Sequence, residues 1–233
     1  MKQLLNMMNN GCFPLIVSLP CNKPELARCA WENGADVVKV HINVKHHASS
    51  TLYGSYKEEQ ANMEQIRRDA KGPLGIVPGA GVSDVEGDLD LVLSAGFDFI
   101  SLYGHHAPVH MPDSMVNKMI APDYTWQDWE IALLEEAGAD ILEASVMHPD
   151  SYGQPLSMRE MITYRHLSEI STLPMVIPTQ RFIRPDQVSA LRQNGAGAIM
   201  IGAVVTGKEE ASVAAAVKAF RNAIDKMRTG EKQ

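Results

Sequence analysis

Short apolar runs alternate along the chain with longer mixed stretches, and the joints between them come in two repeating styles. In the first, a helix-like stretch ends at Gly and passes within two or three residues into an apolar run. The instances are Asn33-Gly34-Ala35-Asp36, Ala95-Gly96-Phe97-Asp98, Ala137-Gly138-Ala139-Asp140 and Asn194-Gly195-Ala196-Gly197. A left-handed Gly ends a helix because it lets the last carbonyls find donors, so each joint predicts a helix followed at once by a strand. In the second style Pro introduces the run: Pro14, Pro73 and Pro174 precede apolar residues at 15–17, 74–77 and 175–177, and 117–121 supplies a weaker fourth. The two styles interleave. They predict strands over 15–19, 37–43, 74–78, 99–103, 118–121, 141–146, 175–179 and 198–201.

Helices are predicted over 23–33, 57–70, 85–94, 126–137, 157–168 and 209–227, with Pro24 suited to a first turn and Thr125 to a cap. Residues 45–56 read as a long polar loop, and 104–114 as a second irregular stretch. A repeat of strand and helix over 233 residues predicts a single closed (β/α)8 barrel, or TIM barrel, which runs to about 250 residues. An open doubly wound sheet alternates in the same way, but no Gly-x-Gly-x-x-Gly follows an early strand. No linker divides residues 1–233, so one domain is expected, with a short helix over 1–10 closing the barrel floor.

In such a barrel the chemistry lies at the carboxyl ends of the strands, and side chains two apart share a face. The second strand therefore places Lys39, His41 and Asn43 together, opposite Val38, Val40 and Ile42. The sixth places Glu143 with Ser145. An inward Lys is costly to bury unless paired, so a Lys39–Glu143 contact has two readings. One is a structural ion pair. The other is acid–base work on a bound carbonyl compound, with Lys39 as base or Schiff-base amine, Glu143 moving a proton, and His41 polarising a carbonyl or shuttling a proton. Asp123 or His105 would be their partner, His105 being close enough in the barrel order to meet His41.

Seven of the eight histidines, His41, His46, His47, His105, His106, His110 and His148, fall at or beyond predicted strand ends. Metal sites of this kind normally add well-placed carboxylates or a helical His pair, so no metal and no other cofactor is expected. After the seventh strand comes Arg181, and after the eighth Gly202-Ala203. Loops there commonly hold phosphate, with Gly202 allowing close backbone approach and Arg181 offering a bidentate contact.

Composition narrows the partners. Forty-five per cent hydrophobic and 21% charged residues are ordinary for a globular protein, and the net charge of −7 argues against nucleic acid. Cys12, Cys21 and Cys29 lack CxxC spacing and read as reduced cytoplasmic thiols. The opening residues are too polar for a signal peptide, and no run approaches a membrane span. The expected partner is a small phosphorylated metabolite, and a homo-oligomer is left open.

The run from Asn194 through Gly195-Ala196, Gly202-Ala203 and Val205-Thr206-Gly207 resembles the closing motif of ribulose-phosphate-binding barrels. It is most similar to that of the N-acetylmannosamine-6-phosphate 2-epimerase family. Pro14-Leu15-Ile16-Val17-Ser18, Ala121-Pro122-Asp123-Tyr124-Thr125 and Pro174-Met175-Val176-Ile177 resemble that family's first, fifth and seventh strand regions. The resemblance implies the barrel and phosphate binding around Gly202. The family acts as an epimerase, a kind of isomerase, in carbohydrate metabolism, but this chain's departures from it count against the same chemistry by the same residues. The resemblance also implies a Lys ending the third strand and a Glu ending the seventh. This chain has Val77-Pro78-Gly79 and Pro178-Thr179-Gln180 there, and Tyr103-Gly104-His105 where the family places an Asp. Two other readings accompany the epimerase: a carbon–carbon lyase working through a Lys39 Schiff base, and a non-catalytic phosphometabolite-binding barrel.

Overall fold

The computed structural model describes residues 3–111 and 116–230. Its strands are β1 (Leu15–Ser18), β2 (Val37–His41), β3 (Val44–Lys45), β4 (Leu52–Tyr53), β5 (Leu74–Val77), β6 (Phe99–Tyr103), β7 (Asn117–Ala121), β8 (Ile141–Glu143), β9 (Met175–Pro178) and β10 (Ala196–Ile201). Eight of them close a parallel barrel in the order β1-β2-β5-β6-β7-β8-β9-β10, and β10 returns to β1 with Ile16 opposite Met200. The helices are α1 (Gln3–Asn9), α2 (Pro24–Glu32), α3 (Tyr56–Arg68), α4 (Val82–Ser94), α5 (Asp128–Ala132), α6 (Met158–Ile170), α7 (Val188–Gln193), α8 (Ala203–Thr206) and α9 (Glu210–Thr229). Gly34, Gly96, Gly138 and Gly195, the glycines of the four joints, all have positive φ, which an L side chain there would strain.

Two apolar clusters follow from the strand alternation. The larger one lies between strands and helices and includes Leu15, Val17, Val38, Val40, Ile76, Ile100, Leu142, Ile177, Ile199 and Ile201. The smaller fills the lower barrel with Ile16, Val37, Phe99, Met119, Ile141, Val176, Ala198 and Met200, joined by Leu4 and Met8 of α1. Residues 3–9 thus plug the floor, and residues 1 and 2 of the predicted helix lie outside the described residues. Phe99 fits inside because its neighbour Gly75 has no side chain: a Cβ there would sit 2.0 Å from the ring.

The structure amends several predicted boundaries. β2 ends at His41, because Asn43 has φ +51° and leaves the extended region. β8 ends at Glu143, three residues early. The polar stretch after β2 is no simple loop, since β3 and β4 pair antiparallel as a small hairpin. α5 starts at Asp128 with Gln127 at its cap, so Thr125 does not cap it. Thr125 instead gives its amide and hydroxyl to Asp123 Oδ1, at 2.8 and 2.6 Å. Residues 112–114 of the second irregular stretch lie outside the described residues.

Candidate active site

A cavity of about 280 Å³ opens at the carboxyl ends of the strands. Its floor comes from inward positions above the apolar layer. Phe99 points inward, so Ser101 and Tyr103, two and four residues on, do so as well. Lys39 stands two residues after Val37, and Glu143 two after Ile141. Lys39 Nζ lies 3.6 Å from Glu143 Oε2 and 3.2 Å from Ser101 Oγ. Ser101 Oγ in turn donates to the same carboxylate oxygen at 2.7 Å. Lys39 is 4% and Glu143 7% exposed. An ion pair this deep pays heavily in lost hydration, and a simple apolar layer would serve the fold at less cost. The three groups line the cavity together.

His41 occupies the next layer. Its Nε2 lies 3.2 Å from Ser18 Oγ, and its backbone is gripped by Asn22, which donates to the carbonyl at 2.6 Å and accepts the amide at 3.1 Å. Nδ1 has no protein partner. Burial, then the nearby His46 and Lys39, hold the His41 imidazole well below the ordinary histidine pKa, so the ring is neutral near pH 7. It packs 4.8 Å from the rings of both His46 and Tyr53. His46 is pushed down to about 4 by burial, then by Lys39 and His47. Tyr53 donates to Leu19 O at 2.8 Å and Thr51 Oγ1 to Pro20 O at 2.7 Å, pinning the hairpin beside the opening. Its tip residue His47 reaches across to Tyr152, edge to face at 5.0 Å.

On the opposite wall Tyr103 shares a hydrogen bond of 3.3 Å with Ser145, and Gln180 donates from Nε2 to the Tyr152 hydroxyl. The Met147 amide fixes Gln180 by donating to Oε1 at 3.1 Å. Burial raises both phenols above the ordinary tyrosine value, so they remain hydrogen-bond donors at neutral pH. Gly202 closes the ring of lining residues. Its amide donates to Thr179 Oγ1 at 3.0 Å, and Ala203 opens α8 immediately after it. A Cβ on Gly202 would meet only Ser18, at 3.6 Å, so packing within the protein does not demand glycine there.

Lys39, His41, Glu143 and Gly202 therefore converge, and Ala203 adjoins them. The other three predicted site residues lie elsewhere. His105 does not meet His41: it stacks on Tyr103 and sits 3.7 Å from Asp123 at the outer rim. Asp123 opposes its own partial burial with the Thr125 hydrogen bonds and the nearby His105, which together hold its carboxyl below the usual value. Neither lines the cavity. Arg181 turns away too, bonded to Glu160 Oε1 at 2.7 Å and to Ser151 O at 2.9 Å. Glu160, on α6, is 3% exposed and needs that counter-charge, which is why the guanidinium is not free to swing to Gly202. Ser18, Ser101, Tyr152 and Gln180 are the site residues that sequence reasoning missed. Ser101 and Ser18 were accessible by the alternation that found Lys39, whereas Tyr152 and Gln180 sit on irregular backbone. Among the described residues no cluster of three or more His, Cys, Asp or Glu side chains is arranged to hold a metal ion, and no helix is long and apolar enough to cross a membrane.

No family model matches the sequence, and no curated protein matches it. Solved structures do. Thiamine phosphate pyrophosphorylase from Pyrococcus furiosus aligns over 94% of this chain and 98% of its own, with TM-score 0.63 and 17% identity. Tryptophan synthase from Mycobacterium tuberculosis aligns over 96% and 99%, with TM-score 0.69 and 12% identity. At such identities the likeness reaches the architecture and no further: this chain is similar to both in being a single (β/α)8 barrel.

Proposed function

We propose that this barrel is an enzyme that binds a small phosphorylated metabolite and moves a proton next to a carbonyl, as an isomerase or epimerase does. The observation carrying the proposal is the buried Lys39–Ser101–Glu143 group on the floor of an open cavity. Glu143 would take the proton from the carbon beside the carbonyl, and the resulting negative charge would develop on the carbonyl oxygen. Lys39 is the cation placed to receive that charge in a site where water screens it poorly. Ser101 aims the carboxylate. Neutral His41 and the Tyr103 hydroxyl are the groups placed to return a proton or hydrogen-bond the oxygen. The phosphate would rest near Gly202 and Ala203, where the backbone is open to the cavity and the first amides of α8 lack intrahelical acceptors. A neighbour named for a phosphorylated small molecule, thiamine phosphate pyrophosphorylase, supports a phosphate ester as the substrate class.

The test is exchange of a carbon-bound hydrogen with deuterium oxide across a panel of sugar phosphates. One or more should exchange, and Glu143→Gln and Lys39→Met should each lower the rate at least about a hundredfold. Unchanged exchange in both variants would reduce the group to a structural ion pair. Burial of Lys39 against the cavity also favours a second reading, a carbon–carbon lyase acting through an imine. Borohydride reduction in the presence of an aldose or ketose phosphate would then leave a stable adduct on Lys39.

A further inference from the structure

A helix on the outside of a barrel buries one face against the strands and normally presents charged residues on the other. α6 keeps the first half of that rule and breaks the second. It buries Glu160, Tyr164 and Leu167. Its outward strip, followed by the spacing of three and four residues, is Met158, Arg159, Ile162, Arg165, His166 and Glu169. Met158 is 79% and Ile162 65% exposed. α5 behaves alike beside it, with Trp129 66% exposed and Leu133, one turn on, 44%. His166 Nε2 and Asp128 Oδ2, 2.7 Å apart, tie the two helices side by side, which sets the Trp129 end of α5 next to the α6 strip. Of the ten large hydrophobic side chains exposed among the described residues, four thus gather on one pair of helices. The other six are dispersed over β4, α4 and irregular segments.

Area and charge decide what covers them. At about 200 Å² for a large side chain, these exposures amount to roughly 500 Å² of apolar surface, near the upper end of what a monomer leaves in water. A stable dimer takes about 800 Å² from each partner, and homodimer interfaces are about 65% apolar, so the apolar share each copy must supply matches this face. The charges suit a second copy as well. Arg159 and Glu169 lie at opposite ends of the strip, about 15 Å apart along the helix. A two-fold axis crossing the middle of α6 runs two such helices antiparallel, sets each Arg159 opposite the other copy's Glu169, and brings Ile162 of one copy over the Trp129 region of the other. One patch then serves both copies, as closed two-fold symmetry requires. We propose that the α5–α6 face is the interface of a two-fold homodimer of this chain, centred on Trp129, Met158 and Ile162.

The experiment is sedimentation velocity of the full chain across a concentration series reaching about 10 μM, the weak end for interfaces of this size. The parent should sediment with the mass of two chains. Ile162→Arg and Trp129→Glu should each weaken association at least about thirtyfold, the scale of a residue central to an interface, while circular dichroism and the thermal midpoint of the diluted chains stay those of the parent. Leu91→Arg, a comparable change at an exposed position on α4, should leave the dimer intact. A parent that is monomeric throughout the series overturns the proposal. So does a dimer that persists in both Ile162→Arg and Trp129→Glu, or one that Leu91→Arg breaks as readily.

Discussion

His46 shows what one side chain contributes when its surroundings forbid its charge. Its folded pKa of about 4 lies below the ordinary 6.5, chiefly through burial. Above pH 6.5 neither folded nor unfolded chain protonates it, and its full contribution to stability is present. Between 6.5 and 4 the unfolded chain takes up a proton that the folded one refuses, so stability falls as pH falls, by at most about 3 kcal/mol. Urea unfolding at pH 7 and pH 4 should show a smaller acid loss for His46→Gln than for the parent. Residues with this much physical meaning were partly legible beforehand. Lys39, His41 and Glu143 were found because a strand has a period of two and each broke an apolar pattern. The place of Arg181 after a strand suggests an anion ligand, but its partner Glu160 sits on α6, twenty-one positions earlier, where no periodicity connects the two.

At the scale of elements, the Gly and Pro joints mark seven of the eight barrel strands, because a left-handed Gly and a strand-opening Pro are local constraints that tertiary structure rarely overrides; β7 has neither joint and is legible only as a weak apolar run in the expected interval. What local pattern did not reveal was the β3–β4 hairpin, whose strands are only two residues each and are held by contacts to Leu19 and Pro20 far away in sequence. The short helix α1 is the opposite case: too short to persist alone, it stays in place because Leu4 and Met8 enter the barrel floor. Leu4 is fully buried. Leu4→Ala should cost about 2–5 kcal/mol, measurable as a lowered denaturant midpoint with an unchanged slope.

The whole molecule depends on its two ends meeting. β1 pairs with β10, and α9 then covers the seam, burying Val213, Val217, Phe220, Ala223 and Ile224 against α2, α7 and β1. Each of the four larger side chains contributes about 1.5–3 kcal/mol, so those four together rival a domain's net stability. A chain ending at residue 209 should therefore lose its cooperative thermal transition by calorimetry.

Among the described residues, Phe99, seated on Gly75, and the floor side chains beneath it leave no passage through the tube. On the proposed function, a substrate meeting Lys39 and Glu143 would arrive and depart by the opening at the carboxyl ends of the strands, beneath the arch that His47 and Tyr152 form. A spent molecule still in the well blocks the next arrival, so turnover would be governed by vacancy, and product added from outside would inhibit in competition with the reactant.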